Sequence, residues 1–189
     1  MMAMTVAQRM TADEFLATTF DERWVELIDG EVVVNEPRLP HGLVSTELIV
    51  ALRAWTDAAD DRGMVVVPID VRLDDRNVYA PDILWYGGAR APTADAPWPY
   101  PLPDLAIEIR SPSTWRYDVG IKKAVYERLG LPELWLVDTE ARAVLVFRRS
   151  TARAASFDVA LEIAGDAPLQ SPLLPGFAPP AARLFTALP

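Results

Sequence analysis

The sequence predicts an α/β or α+β fold in which a β-sheet is flanked by helices. Two observations point to it. Apolar residues recur at helical spacing in two separate stretches, and short apolar or alternating runs between and after them have the length and period of strands. From the long helix onward the order is helix, two strands, one strand, helix, strand, which suits a sheet with helices packed against it.

The elements follow in chain order. Thr11-Ala12-Asp13-Glu14 is a capping-box pattern ahead of Phe15 and Leu16, so a short helix begins there. Trp24 to Ile28 and Glu31 to Asn35 flank Asp29-Gly30, a strong hairpin signal. A turn over Glu36 to Pro40 leads to His41. Val44, Leu48, Leu52, Trp55 and Ala59 mark a long helix expected to end at Gly63. Ile69, Val71 and Leu73 alternate with Asp70 and Arg72, as in a half-buried strand. Asp74 to Asn77 forms a turn, and Val78 to Tyr86 reads as one return strand carrying Pro81-Asp82.

Residues 87–103 hold two glycines and five prolines, and read as a long surface loop. Leu105, Ile107 and Ile109 then face a core, with Ala106, Glu108 and Arg110 on the opposite face. After a break at Ser111 to Arg116, a helix is expected from about Asp118 to Leu129. Ile121, Val125 and Leu129 form its core stripe, and Gly130 and Pro132 stop it. Leu134 to Val137 reads as a buried strand. Val144 to Phe147 and Phe157 to Ile163 are further strands, and a proline-rich tail from Ala167 wraps the domain.

Composition narrows the chemistry. The chain has 189 residues, is 51% apolar, and carries a net charge of -9. The acidity argues against a broad nucleic-acid footprint, although a metal site concentrates carboxylates. With no cysteine there are no disulfides, thiolate zinc sites or cysteine nucleophiles. One histidine, His41, cannot build a histidine-rich metal site. Any metal must be held mainly by oxygen, which favours magnesium, manganese or calcium. Met1 to Met10 shows no signal-peptide pattern, and Leu43 to Trp55, interrupted by Glu47 and Arg53, is too short and polar to span a bilayer. A cytoplasmic protein without membrane partners is the expectation.

Three features converge on one chemistry. Asp82 follows Pro81 at a polar strand position. Glu108 lies in an otherwise apolar strand, where a carboxylate is costly unless paired, hydrogen-bonded or bound to a cation. The next helix carries Asp118, Lys122 and Tyr126 at i, i+4 and i+8, off the expected core stripe. If the strands of Asp82 and Glu108 are neighbours, both acids reach one divalent ion, and a lysine beside it can position water and stabilise developing charge. That is what phosphodiester hydrolysis requires.

The chain resembles the Uma-two type of restriction endonuclease, a branch of the PD-(D/E)XK nuclease superfamily. The likeness rests on Glu26-Leu27-Ile28-Asp29-Gly30-Glu31, Pro81-Asp82-Ile83 and Ile107-Glu108-Ile109-Arg110-Ser111-Pro112-Ser113-Thr114. It continues through Asp118-Val119-Gly120-Ile121-Lys122 with Tyr126, Glu133 to Asp138, and Ser171 to Phe177. It implies a single restriction endonuclease-like domain over 1–189. Its parts would be an N-terminal helix and hairpin extension in 1–40, a nuclease core with a mixed central sheet in 41–138, and C-terminal strands and a tail in 139–189. It implies Asp82 and Glu108 as metal ligands for magnesium or manganese, Lys122 as the catalytic lysine, DNA as substrate, and a homodimer. Arg110 stands where the superfamily pattern has lysine, and arginine stays protonated. The family supplies its lysine from the following helix, here Lys122.

Other readings stand beside these. Glu108 can be a buried partner of Arg110 or Lys122. Asp118 can be a helix N-cap or a residue orienting Lys122. His41 can be a loop residue or cap, Tyr126 and Trp135 plain packing, and Glu26 and Glu31 only parts of the hairpin. On that reading the chain is a non-catalytic nucleic-acid-binding or assembly domain that keeps the nuclease fold.

Overall fold

The computed structural model describes residues 9–188. Most of the segment read for a signal peptide lies outside them. The capping box forms as expected: Thr11 accepts from the Glu14 N–H, Glu14 accepts from the Thr11 N–H, and α1 runs Ala12–Ala17. The hairpin β1 (Val25–Ile28) and β2 (Glu31–Val34) turns at Asp29 and Gly30, with φ of 49° and 79°. Positive φ at both turn residues matches the twist of the flanking strands.

Helix α2 spans Leu39–Thr56, so it starts earlier and ends sooner than the apolar spacing suggests. Pro40 fits its first turn, where the missing N–H costs nothing. Gly63 follows a turn rather than capping the helix. Its φ is +72°, and a Cβ there would meet the Tyr86 carbonyl oxygen at 2.0 Å, so the position takes no side chain. That close approach lets β3 (Met64–Val66), which periodicity does not reveal, pair with β6 (Ile83–Tyr86).

The expected single strand Val78–Tyr86 is instead two. β4 (Val71–Asp74) and β5 (Asn77–Tyr79) form one hairpin, the chain breaks at Ala80-Pro81-Asp82, and β6 joins a different sheet. Pro81 has no N–H to extend a ladder. A four-stranded antiparallel sheet, β2-β1-β5-β4, therefore stands beside a six-stranded mixed sheet, β10-β9-β8-β7-β6-β3. In the latter, β7 (Leu105–Ile109) runs parallel to β8 (Glu133–Asp138), and β9 (Ala143–Arg148) and β10 (Val159–Ala164) complete it antiparallel.

Strand β7 is buried on both faces. Leu105, Ile107 and Ile109 pack with Val44, Leu48, Leu52 and Trp55 of α2. The tail closes this core through Leu169, Leu174, Phe177 and the 3₁₀ turn Ala181–Phe185. Ala106 faces the other way, with Ile28, Tyr79, Val125 and Tyr126. Ser171 and the Trp135 indole N–H each donate to Glu133, at 2.7 and 2.6 Å, pinning the tail to β8.

The connection from β7 to β8 is a bent helix: α3 (Trp115–Tyr117), a π-helical turn (Asp118–Lys122) and α4 (Lys123–Arg128). The wide turn holds an extra residue and shifts the helical phase. Asp118 and Lys122 consequently face inward while Ile121 is 37% exposed. The stripe Ile121, Val125, Leu129 is thus corrected: Lys122, not Ile121, occupies the core position. Among the described residues no helix is long and apolar enough to cross a membrane.

Candidate active site

The two sheets meet where β5 ends and β6 begins, and the acids gather there. Ile83 pairs with Ile107 and Leu84 with Ala106; continued one step, this register sets Asp82 across from Glu108. The Asp82 carboxylate accepts the Ile109 N–H at 2.7 Å, and His41 Nε2 of α2 lies 2.9 Å from its other oxygen, Oδ1. Both side chains are buried.

Lys122 is the hub. Its Nζ lies 2.8 Å from Glu108 Oε1, 3.0 Å from both Glu26 oxygens and 3.1 Å from Asp118 Oδ1. It is 1% exposed. The Tyr126 hydroxyl donates to Glu108 Oε1 at 2.7 Å. The Ala80 N–H donates to Glu26 Oε1 at 2.8 Å, and the Thr114 hydroxyl donates to Asp118 Oδ2 at 3.3 Å. Ser111, Thr114 and Asn35 form a hydroxyl and amide chain behind Asp118.

Charge is out of balance here. Glu26, Asp82, Glu108 and Asp118 are four buried carboxylates, and Lys122 and His41 are the bases that touch them. Burial pushes the Glu108 carboxyl well above its ordinary range; Lys122 opposes this, while Asp118, Glu26 and Asp82 reinforce it. Burial raises Glu26 and Asp118 in the same way. For Lys122, burial works against the charge, but Glu108, Glu26 and Asp118 together outweigh it and hold the ammonium well above its usual value. The Tyr126 phenol is also raised, first by burial and then by Glu108.

This donor set suits a hard divalent cation. Carboxylate oxygens are in surplus, and Asp118 Oδ1, although beside Lys122, accepts no hydrogen bond. Among the described residues no three His, Asp or Glu side chains are arranged to cage an ion by themselves.

A cleft of about 700 Å³ opens onto the cluster. Glu26, His41 and Asp82 line it, and behind Glu26 lies Lys122, which bonds both Glu26 and Glu108. Of the loop 87–103, Trp98 reaches the cleft. Arg110 is not part of the cluster: it pairs with Asp138 at 3.0 Å and Glu140 at 2.6 Å. Glu31 is exposed and contacts the Tyr117 hydroxyl.

Sequence reasoning left Glu26 in the hairpin and Tyr126 in the packing. The signal for Glu26 was the one that exposed Glu108, a glutamate between apolar strand neighbours, here Val25 and Leu27. For Tyr126 it was the four-residue step from Lys122.

A sequence profile of the Uma2 family, described as "Putative restriction endonuclease", matches residues 12–184. Among solved structures, a protein from Anabaena variabilis described as a "putative nuclease belonging to DUF820" matches with a TM-score of 0.78 at 21% identity. The match covers 93% of this chain and 97% of that one. At that identity the likeness establishes the shared fold. No curated protein matches the chain.

Proposed function

The chain belongs to the Uma2 family, described as "Putative restriction endonuclease", and on that premise we propose that it is a metal-dependent endonuclease that hydrolyses DNA phosphodiester bonds. One observation carries the reading: two buried carboxylates, Glu26 from the Lys122 cluster and Asp82 beside it, line a cleft of substrate size.

Asp82 and Glu108 would hold a magnesium or manganese ion. Bound there, it supplies a water of lowered pKa and neutralises charge on the phosphoryl oxygens. The Ile109 N–H fixes the Asp82 carboxylate, and the Tyr126 hydroxyl fixes that of Glu108. Lys122 stays protonated and is held by Glu26, Glu108 and Asp118, so it would act as a fixed cation behind the ligating carboxylates, not as a base. Glu26 holds that ammonium with both oxygens while itself facing the cleft. The whole described chain is read as one domain serving this site. A homodimer would set one such cleft on each strand of a duplex; light scattering showing only monomer at micromolar concentration removes that part.

The test is a cleavage assay on mixed DNA and RNA with magnesium, manganese or chelator. Metal-dependent cleavage of DNA is expected, lost in Asp82→Asn and Glu108→Gln. Binding without cleavage under every metal would leave a nucleic-acid-binding domain that keeps the fold.

A further inference from the structure

We infer that the cleft takes an unpaired nucleobase stacked on Trp24 and Trp98, so that the substrate strand is single or locally unpaired where it reacts. The inference rests on the nuclease reading and specifies its substrate class.

The chain has six tryptophans. Trp55, Trp85 and Trp135 are buried and Trp115 is half-buried. The remaining two, Trp24 and Trp98, are 46% and 52% exposed, and both line the cleft that ends at Glu26 and Asp82. An indole left in water forgoes a large hydrophobic gain, and two of them lining one cleft with Glu26 and Asp82 suit a flat apolar partner.

The Trp24 backbone and the Trp98 ring are each anchored. The Trp24 carbonyl accepts the Asn35 N–H at 2.7 Å, locking its backbone to the end of the hairpin. The Trp98 indole N–H donates to Asp70 at 3.0 Å, tethering the ring to the cleft wall with half its surface open. The same cleft is also lined by apolar Ile49, Val67 and Ile69. A base presents such a flat face, and stacking on it requires no particular sequence.

Charge separates this ligand from a fully paired duplex. Holding a duplex by its backbone needs many phosphate contacts, and a net charge of -9 opposes a broad one. Arg23 and Arg38 line the cleft, are exposed, and have no ion-pair partner among the described residues. Two free guanidinium groups match the phosphates next to one base rather than a duplex face.

The experiment measures binding of labelled oligonucleotides to the full chain by fluorescence anisotropy, in chelator and again in calcium. The probes are single-stranded DNA, the same sequence in RNA, a duplex with one unpaired nucleotide, and the fully paired duplex. Unpaired probes should bind at least about tenfold more tightly than the paired duplex. Trp24→Ala and Trp98→Ala should each weaken unpaired probes by about 5- to 150-fold, the scale of one base–aromatic stack. Trp24→Phe and Trp98→Phe, which keep a ring, should restore most of that affinity. For two contacted phosphates on a single strand, log K should fall with log salt at a slope of about −1.4. Either sugar satisfies the inference, and the tighter strand identifies it.

Equal or tighter binding of the paired duplex overturns the inference, as does parental affinity in the alanine variants or no binding of any probe. So does a change of oligomeric state in those variants at unchanged oligonucleotide affinity, which would make the tryptophans a protein interface. Cleavage is scored separately. Probes bound as expected but never cut with any metal would leave this inference standing and remove the nuclease reading. Paired and unpaired probes cut alike, with the alanine variants at parental rate, would do the reverse.

Discussion

Lys122 Nζ lies 3.0 Å from both oxygens of Glu26, a residue 96 positions earlier in the chain. This contact ties the opening hairpin to the bent helix, and it makes Lys122 the only lysine among the acids at the centre of the site. Removing the ammonium would leave Glu26, Glu108 and Asp118 without their shared partner.

Lys122→Met should lower stability as well as rate. Without its ammonium, the buried carboxylates of Glu26, Glu108 and Asp118 lose their shared partner, which costs about 3–5 kcal/mol when a buried ion pair is broken. The loss should be smaller near pH 5, where the acids can take up protons instead. In the cleavage assay the variant should be roughly 10²–10³-fold slower, the scale of one deleted electrostatic donor. A thermal melt and a rate measurement on the same preparation check both. An unchanged melt would mean that the ammonium does not hold the cluster together.

The apo protein should become less stable as pH rises from about 5 to 8. Burial raises the Glu108, Glu26 and Asp118 carboxyls above their ordinary values of 4.5, 4.5 and 3.8, so the folded state binds more protons than the unfolded chain over that window. Their stabilising contribution is complete at acid pH and is lost as pH climbs through the folded values. Lys122 stays protonated throughout and does not cancel the trend. The check is melting temperature in chelator across that range. A rise instead of a fall would show that these acids are not held above their ordinary range.

Manganese should reverse that trend. A cation bound by Asp82 and Glu108 relieves carboxylate repulsion most where the acids are ionised, so its stabilisation should be greater near pH 8 than near pH 5. At a hundredfold excess over Kd, ligand linkage alone contributes about 2.7 kcal/mol. Asp82→Asn and Glu108→Gln should each abolish the shift. If calorimetry finds manganese bound equally well by both variants, the ligand assignment fails.

Tyr126→Phe tests how Glu108 is positioned. The phenyl ring keeps the edge contact with Tyr79, whose centroid is 5.4 Å away, and loses the 2.7 Å hydrogen bond to Glu108. A hydrogen bond to a charged group contributes about 1.5–3 kcal/mol. If the hydroxyl orients a ligating carboxylate, manganese affinity should also fall by about 10–100-fold. Lost stability with unchanged metal affinity would assign Tyr126 to packing alone.

Much of this was legible in the sequence because its signals are local. The capping box at Thr11 and Glu14 and the turn at Asp29-Gly30 each depend on a few consecutive residues, and both formed as read. Glu108 stood out because an acid inside an apolar strand demands a partner. The break at Pro81 also has a local signal, since proline cannot extend a ladder, although Val78 to Tyr86 is apolar enough to read as one strand. An ideal helix from Asp118 to Leu129 turns Lys122 away from the stripe of Ile121, Val125 and Leu129. The π-helical turn at Asp118–Lys122 changes the phase and brings Lys122 onto Glu26 of the hairpin, a contact that periodicity does not encode. Glu26 carries the same local signal as Glu108, but its partner Lys122 lies 96 residues away, so the pairing itself is not local.

That separation has a kinetic consequence. Glu26, His41, Asp82, Glu108 and Lys122 come from five different elements or junctions, and closing so long a loop precedes any gain from the contacts it makes. An intermediate with only the local β7–helix–β8 unit formed would contain Glu108, Asp118, Lys122 and Tyr126 but neither Glu26 nor Asp82. During refolding, metal-dependent signals should thus appear in the slowest phase, after most of the helical circular dichroism has returned.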